Sequence, residues 1–65
     1  MKFSIPDMTC GHCKAVVERT IIDLDSNASV VVNLGAHTAE VKTTVPAEAI
    51  IGALKTEGYS AERIG

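Results

Sequence analysis

Ser29-Val30-Val31-Val32-Asn33-Leu34-Gly35-Ala36-His37-Thr38-Ala39-Glu40-Val41-Lys42-Thr43 reads as two strands joined by a turn. The β-branched run over residues 29–34 is the strongest strand signal in the chain. Gly35-Ala36-His37 supplies a hairpin turn. Residues 38–43 then alternate, which turns Ala39 and Val41 toward a core and Glu40 and Lys42 toward water. His37 is read as a surface residue of that turn.

On either side of this hairpin the apolar spacing changes to that of a helix. Val16, Val17, Thr20, Ile21 and Leu24 recur every three or four residues, which predicts a helix over residues 13–24 with one buried stripe. Glu18, Arg19 and Asp23 fall on its solvent side. Asp25-Ser26-Asn27 ends it with turn-forming residues. After the hairpin, Pro46 suits a helix start. Ala47, Ile50, Ile51 and Leu54 form a second apolar stripe. Gly58 stands where a helix C-terminal glycine belongs. Lys2-Phe3-Ser4-Ile5 alternates as a first strand and is stopped by Pro6-Asp7. Residues 60–64 read as a short edge strand.

The order is therefore βαββαβ. A four-stranded antiparallel sheet with both helices on one face satisfies it. The class is α+β, ferredoxin-like. At 65 residues the chain has room for one domain, residues 1–65. Its start at Met1 and its end at Arg63-Ile64-Gly65 read as those of a complete small protein. So short a chain buries only about 60% of its unfolded surface, so its core is marginal.

Six basic residues against eight acidic ones give a net charge of −2. Phe3 and Tyr59 are the only aromatics, and there is no basic cluster. Nucleic-acid binding is unsupported on both counts, as is attraction to an anionic membrane. No apolar run is long enough for a signal peptide or a membrane span, so direct membrane insertion is not expected. A reducing, cytoplasmic setting is expected, where paired cysteines more often mean metal or catalysis than a scaffold.

Both cysteines of the chain lie in Met8-Thr9-Cys10-Gly11-His12-Cys13. A disulfide closing so small a loop would add little stability. Two sulfurs are too few for a closed zinc site, which takes four ligands. They suit a soft, low-coordination ion such as Cu(I), or a redox dithiol. On the fold above, the pair sits in the first βα loop and first helical turn. Unpaired N–H groups and a partial positive charge there favour thiolate. Gly11 leaves the loop free to change its backbone angles.

At these residues the chain resembles the heavy-metal-associated domain family, and within it the small bacterial copper chaperones. The resemblance covers almost the whole chain. It rests on a Met, one residue, Cys, two residues, Cys after a first strand, on the βαββαβ order, and on Gly58-Tyr59 after the second helix. It implies Cu(I) held by Cys10 and Cys13. It implies that Met8 is a partly buried support of the loop and that Tyr59 shields the site. It also implies delivery to the soluble metal-binding domain of a copper-transporting P-type ATPase, with no enzymatic activity. His12 between the cysteines, and Pro6-Asp7 where a glycine is common, depart from the usual pattern without removing a ligand. Relatives that handle zinc or cadmium tend to carry Asp directly before the first cysteine; here Thr9 stands there, which favours Cu(I).

For the flanking residues, structural roles compete with metal roles. A Met beside a loop is more often gap-filling core than ligand. His12 is either solvated or a third ligand where two chains share copper in a bridged homodimer. Tyr59 either packs below the helix end or shields the site. The runners-up are a thiol-disulfide redox protein and a Zn(II)- or Hg(II)-binding member of the same family. Cys10-Gly11-His12-Cys13-Lys14 does match the active-site run of protein disulfide isomerases. Against it stand the short length, the absence of Trp, and prolines only at positions 6 and 46. Haem attachment is excluded, because its motif needs the His just after the pair.

Overall fold

The computed structural model describes Met1–Gly65. Its elements are β1 (Lys2–Ser4), α1 (Gly11–Leu24), β2 (Ser29–Asn33), β3 (Thr38–Lys42), α2 (Ala47–Thr56) and β4 (Glu62–Arg63). The strands form one sheet in the order β2-β3-β1-β4, with every neighbouring pair antiparallel. This is the ferredoxin-like βαββαβ arrangement.

Register explains which face is covered. Phe3 and Val32 both pair with Ala39, and Val30 pairs with Val41. These residues share the inner face, because side chains alternate along a strand. Lys2 and Val31 both pair with Glu40 on the opposite face, where all three are exposed. Against the inner face α1 buries Val17 and Ile21, and α2 buries Ile50 and Leu54. With Phe3, Ile5, Met8, Ala39 and Val41 they form one core of nine residues, with no polar or charged residue inside it.

Several boundaries differ from the sequence pattern. Helix α1 begins at Gly11 rather than Cys13, with Cys10 as its N-cap. Glycine and histidine are weak helix formers, so the apolar stripe gave no sign of that first turn. Leu24 is exposed, not buried, because it is the last residue of α1 and lies beyond Ile21, where the core ends. Pro46 is the N-cap of α2 rather than its first helical residue. Strand β4 spans only Glu62–Arg63. In the hairpin turn His37 takes the left-handed conformation, at φ 56°.

The end of α2 decides where Tyr59 goes. Gly58 adopts φ 92°, a conformation that L side chains resist. Its N–H donates to the Lys55 carbonyl at 3.0 Å, and the Tyr59 N–H donates to the Leu54 carbonyl at 2.9 Å. These two bonds are the Schellman pattern, and they usually bring the residue after the glycine against the last turn of the helix. Tyr59 accordingly packs on the core cluster.

Candidate metal centre

The two cysteines meet at the N-terminus of α1. Cys10 is exposed and Cys13 half-buried, both as free thiols. Their sulfurs lie 3.4 Å apart, within thiol hydrogen-bond range. The first α-helical bond runs from the Lys14 N–H to the Cys10 carbonyl at 3.1 Å. The N–H groups before it have no intrahelical acceptor, and no side chain caps them. They therefore remain available to a negative sulfur.

That environment acts on Cys13. Its thiol is drawn down from 9.0 to about 6. The largest influence is hydrogen bonding from the Tyr59 hydroxyl. The Thr9 backbone N–H and the Cys10 thiol follow. Burial works in the opposite direction but is outweighed. Tyr59 is pushed up to about 12, first because it serves Cys13 as donor and then by burial and the nearby negative charge. At pH between about 6 and about 12, therefore, Cys13 is ionised while the phenol keeps its proton. Of the two roles the sequence left open for Tyr59, packing on the core is the one the structure shows.

Tyr59→Phe removes this donor while keeping the ring. The ionisation midpoint of Cys13 is then expected to rise from about 6 toward 9.0. Near neutral pH the wild-type group is mostly thiolate, and the variant is expected to hold a larger share of thiol. Ultraviolet thiolate absorbance against pH, read beside the Cys13→Ser background, measures the shift. An unmoved midpoint would remove Tyr59 from this role.

The remaining residues separate clearly. Met8 is fully buried within the core, more deeply than expected. His12 is exposed in the first turn of α1. The Asp7 Oδ2 accepts the Ser60 N–H at 3.1 Å, which ties the loop to the residue after Tyr59. His37 is not a bystander on a distant turn. Its ring Nδ1 lies 2.8 Å from the Met8 carbonyl oxygen across 29 residues of sequence. No local pattern signals such a contact; a non-glycine at positive φ is its only trace, and that is a property of the backbone. No group of three or more His, Cys, Asp or Glu side chains converges anywhere in the chain.

The heavy-metal-associated domain model matches residues 2–60. The chain belongs to this family. It is thus a metal-binding domain of a non-enzymatic family. No curated protein matches it in sequence. Among solved structures it is similar to the crystal structure of a gold binding protein, with 41% identity over 94% of each chain and a TM-score of 0.91. It is also similar to Atu1203 of Agrobacterium tumefaciens, with 30% identity over 92% of this chain and 94% of that one, and a TM-score of 0.83. The copper chaperone Atx1 from Synechocystis PCC6803 shares 22% identity over 95% of this chain and 98% of that one. Its TM-score of 0.92 shows the same fold. No helix of this heavy-metal-associated domain is long and apolar enough to cross a membrane.

Proposed function

We propose that this chain is a single-domain cytosolic carrier of Cu(I), which Cys10 and Cys13 hold as a thiolate pair. The observation that carries this reading is the pair itself: two accessible sulfurs 3.4 Å apart, one of them poised to ionise, with no third His, Cys, Asp or Glu grouped beside them. Two soft ligands satisfy a monovalent soft ion and leave a divalent one under-coordinated.

The same openness serves transfer. An incoming thiolate from a partner forms a new S–Cu bond while the ion is still held by this chain. A bond to Cys10 or Cys13 then breaks. Ligands exchange and the oxidation state of copper is unchanged. The natural recipient is the soluble metal-binding domain of a copper-transporting P-type ATPase. Four sulfurs from two copies can also bridge copper in a homodimer, with His12 exposed beside the bridge. Loading displaces thiol protons, so acid opposes it.

Anaerobic loading and competition between ions test the cargo. One Cu(I) per chain, retained against excess Zn(II), is the expected result. Displacement of Cu(I) by Zn(II) would overturn the assignment. Au(I) is a second reading, supported by the 41% identity to a gold binding protein. It is also soft and suits a thiolate pair. Retention of Au(I) against excess Cu(I) in the same competition would favour it.

A further inference from the structure

His37 is joined to the metal loop by a closed circuit of hydrogen bonds. The Ile5 N–H donates to the His37 carbonyl at 2.7 Å, and the Met8 N–H donates to the Ile5 carbonyl at 3.0 Å. The third member is the 2.8 Å contact between His37 Nδ1 and the Met8 carbonyl oxygen. A carbonyl oxygen can only accept, so Nδ1 carries the proton. The backbone of His37 is held at φ 56°, where few residues other than glycine rest without strain. Its own N–H is engaged with the Leu34 carbonyl at 3.3 Å. The imidazole is therefore locked onto one atom of the loop.

That atom belongs to a rigid unit. The Met8 C=O and the Thr9 N–H are parts of one planar peptide group and point to opposite sides of it. From that plane the chain runs through Thr9 directly into Cys10, the N-cap of α1. A hydrogen bond accepted at the carbonyl also polarises the amide and strengthens its N–H as a donor. We propose that His37 is a positioning residue for the thiolate pair: it sets the tilt of the Met8–Thr9 peptide plane and so fixes how the loop enters Cys10 and the first turn of α1.

The assignment rests on Cys10 and Cys13 being the metal ligands, and its test separates the two ideas. In the unmodified, metal-free chain, nitrogen NMR of the imidazole is expected to find His37 protonated at Nδ1; a bare Nδ1 would overturn the proposal. His37→Asn and His37→Gly then divide the side chain from the backbone. The amide nitrogen of Asn occupies the same place along the side chain as Nδ1 and can donate to Met8, and Asn tolerates positive φ. Glycine accepts the backbone but offers no donor.

The Thr9 amide proton is expected to move upfield and exchange faster in His37→Gly, and to stay near its wild-type shift in His37→Asn. Cu(I) affinity, by competition with a chromogenic chelator, is expected to fall about 10-fold in the Gly variant, the lower end for an outer-shell partner. The Asn variant is expected to recover most of that loss. An unchanged Thr9 amide in His37→Gly, or a loss shared equally by Asn and Gly, would overturn the proposal. If the Thr9 amide responds as described but the wild-type chain takes up no Cu(I), the cargo assignment fails and the positioning role stands. Should His37→Gly not fold, the tautomer in the unmodified chain and the Asn variant still decide.

Discussion

Replacing Cys10 and Cys13 together with serine is expected to reduce Cu(I) uptake from one ion per chain to none. A serine hydroxyl is a hard, neutral oxygen and cannot stand in for a thiolate toward a soft ion. The single variants are informative because the sulfurs differ in setting. Cys13 is half-buried beside Tyr59 and the Thr9 N–H, whereas Cys10 is exposed at the N-cap. Each single substitution leaves one sulfur, and the loss in affinity is expected to exceed the 10- to 100-fold typical of outer-shell partners. Met8→Leu is the matched control. Met8 is fully buried in the core, so a volume-conserving swap is expected to leave Cu(I) affinity unchanged and to cost less than about 1.5 kcal/mol of stability. Chelator competition under anaerobic conditions measures all four variants. Undiminished stoichiometry in the double-serine chain, or loss of copper in Met8→Leu, would move the site elsewhere.

What could be read from the sequence follows the physics of each signal. Alternation in the central hairpin put Ala39 and Val41 inside, and both are fully buried. Both apolar stripes form helices, and Gly58 takes the left-handed conformation expected of a C-terminal glycine. These are local effects, written into residues a few positions apart. The position of the cysteine run at the start of α1 was equally legible, because the strand before it and the stripe after it bracket it. The missing parts are those that local patterns do not encode. Cys10 as N-cap leaves no trace, since cysteine is not a capping residue by type. The stripe also ran one turn too far at Leu24, because periodicity marks a helix face but not where the sheet beneath it stops. His37 shows the limit most sharply. A turn histidine has no periodicity to read, and its grip on Met8 appears only once β1 and β3 pair and bring the hairpin turn to the end of β1.

Phe3→Ala is expected to remove about 3–5 kcal/mol of stability, the range for deleting a buried aromatic. At 65 residues, the whole domain has only about 3–10 kcal/mol to lose, at about 0.05–0.15 kcal/mol per residue. The variant is therefore expected to be largely destabilised and, at the lower end of that range, unfolded at room temperature. Phe3 is fully buried, and β1 lies between β3 and β4, so no free edge can relax to fill the space. Val31→Ala is the contrast. Val31 is 65% exposed on the outer face of the sheet, and its truncation is expected to cost no more than about 1 kcal/mol, the span of strand propensities. Urea midpoints compare the two, and equal shifts would refute this description of the core. The same core reaches the metal loop, because Ile5 and Met8 share one cluster with Phe3. Cu(I) bound only by the folded chain is then expected to restore part of the loss by mass action, about 2.7 kcal/mol when free ion stands at 100 times its dissociation constant. Recovery of the Phe3→Ala midpoint on loading, absent when Cys10 and Cys13 are also serine, would show that the thiolate pair and the apolar core fold as one unit.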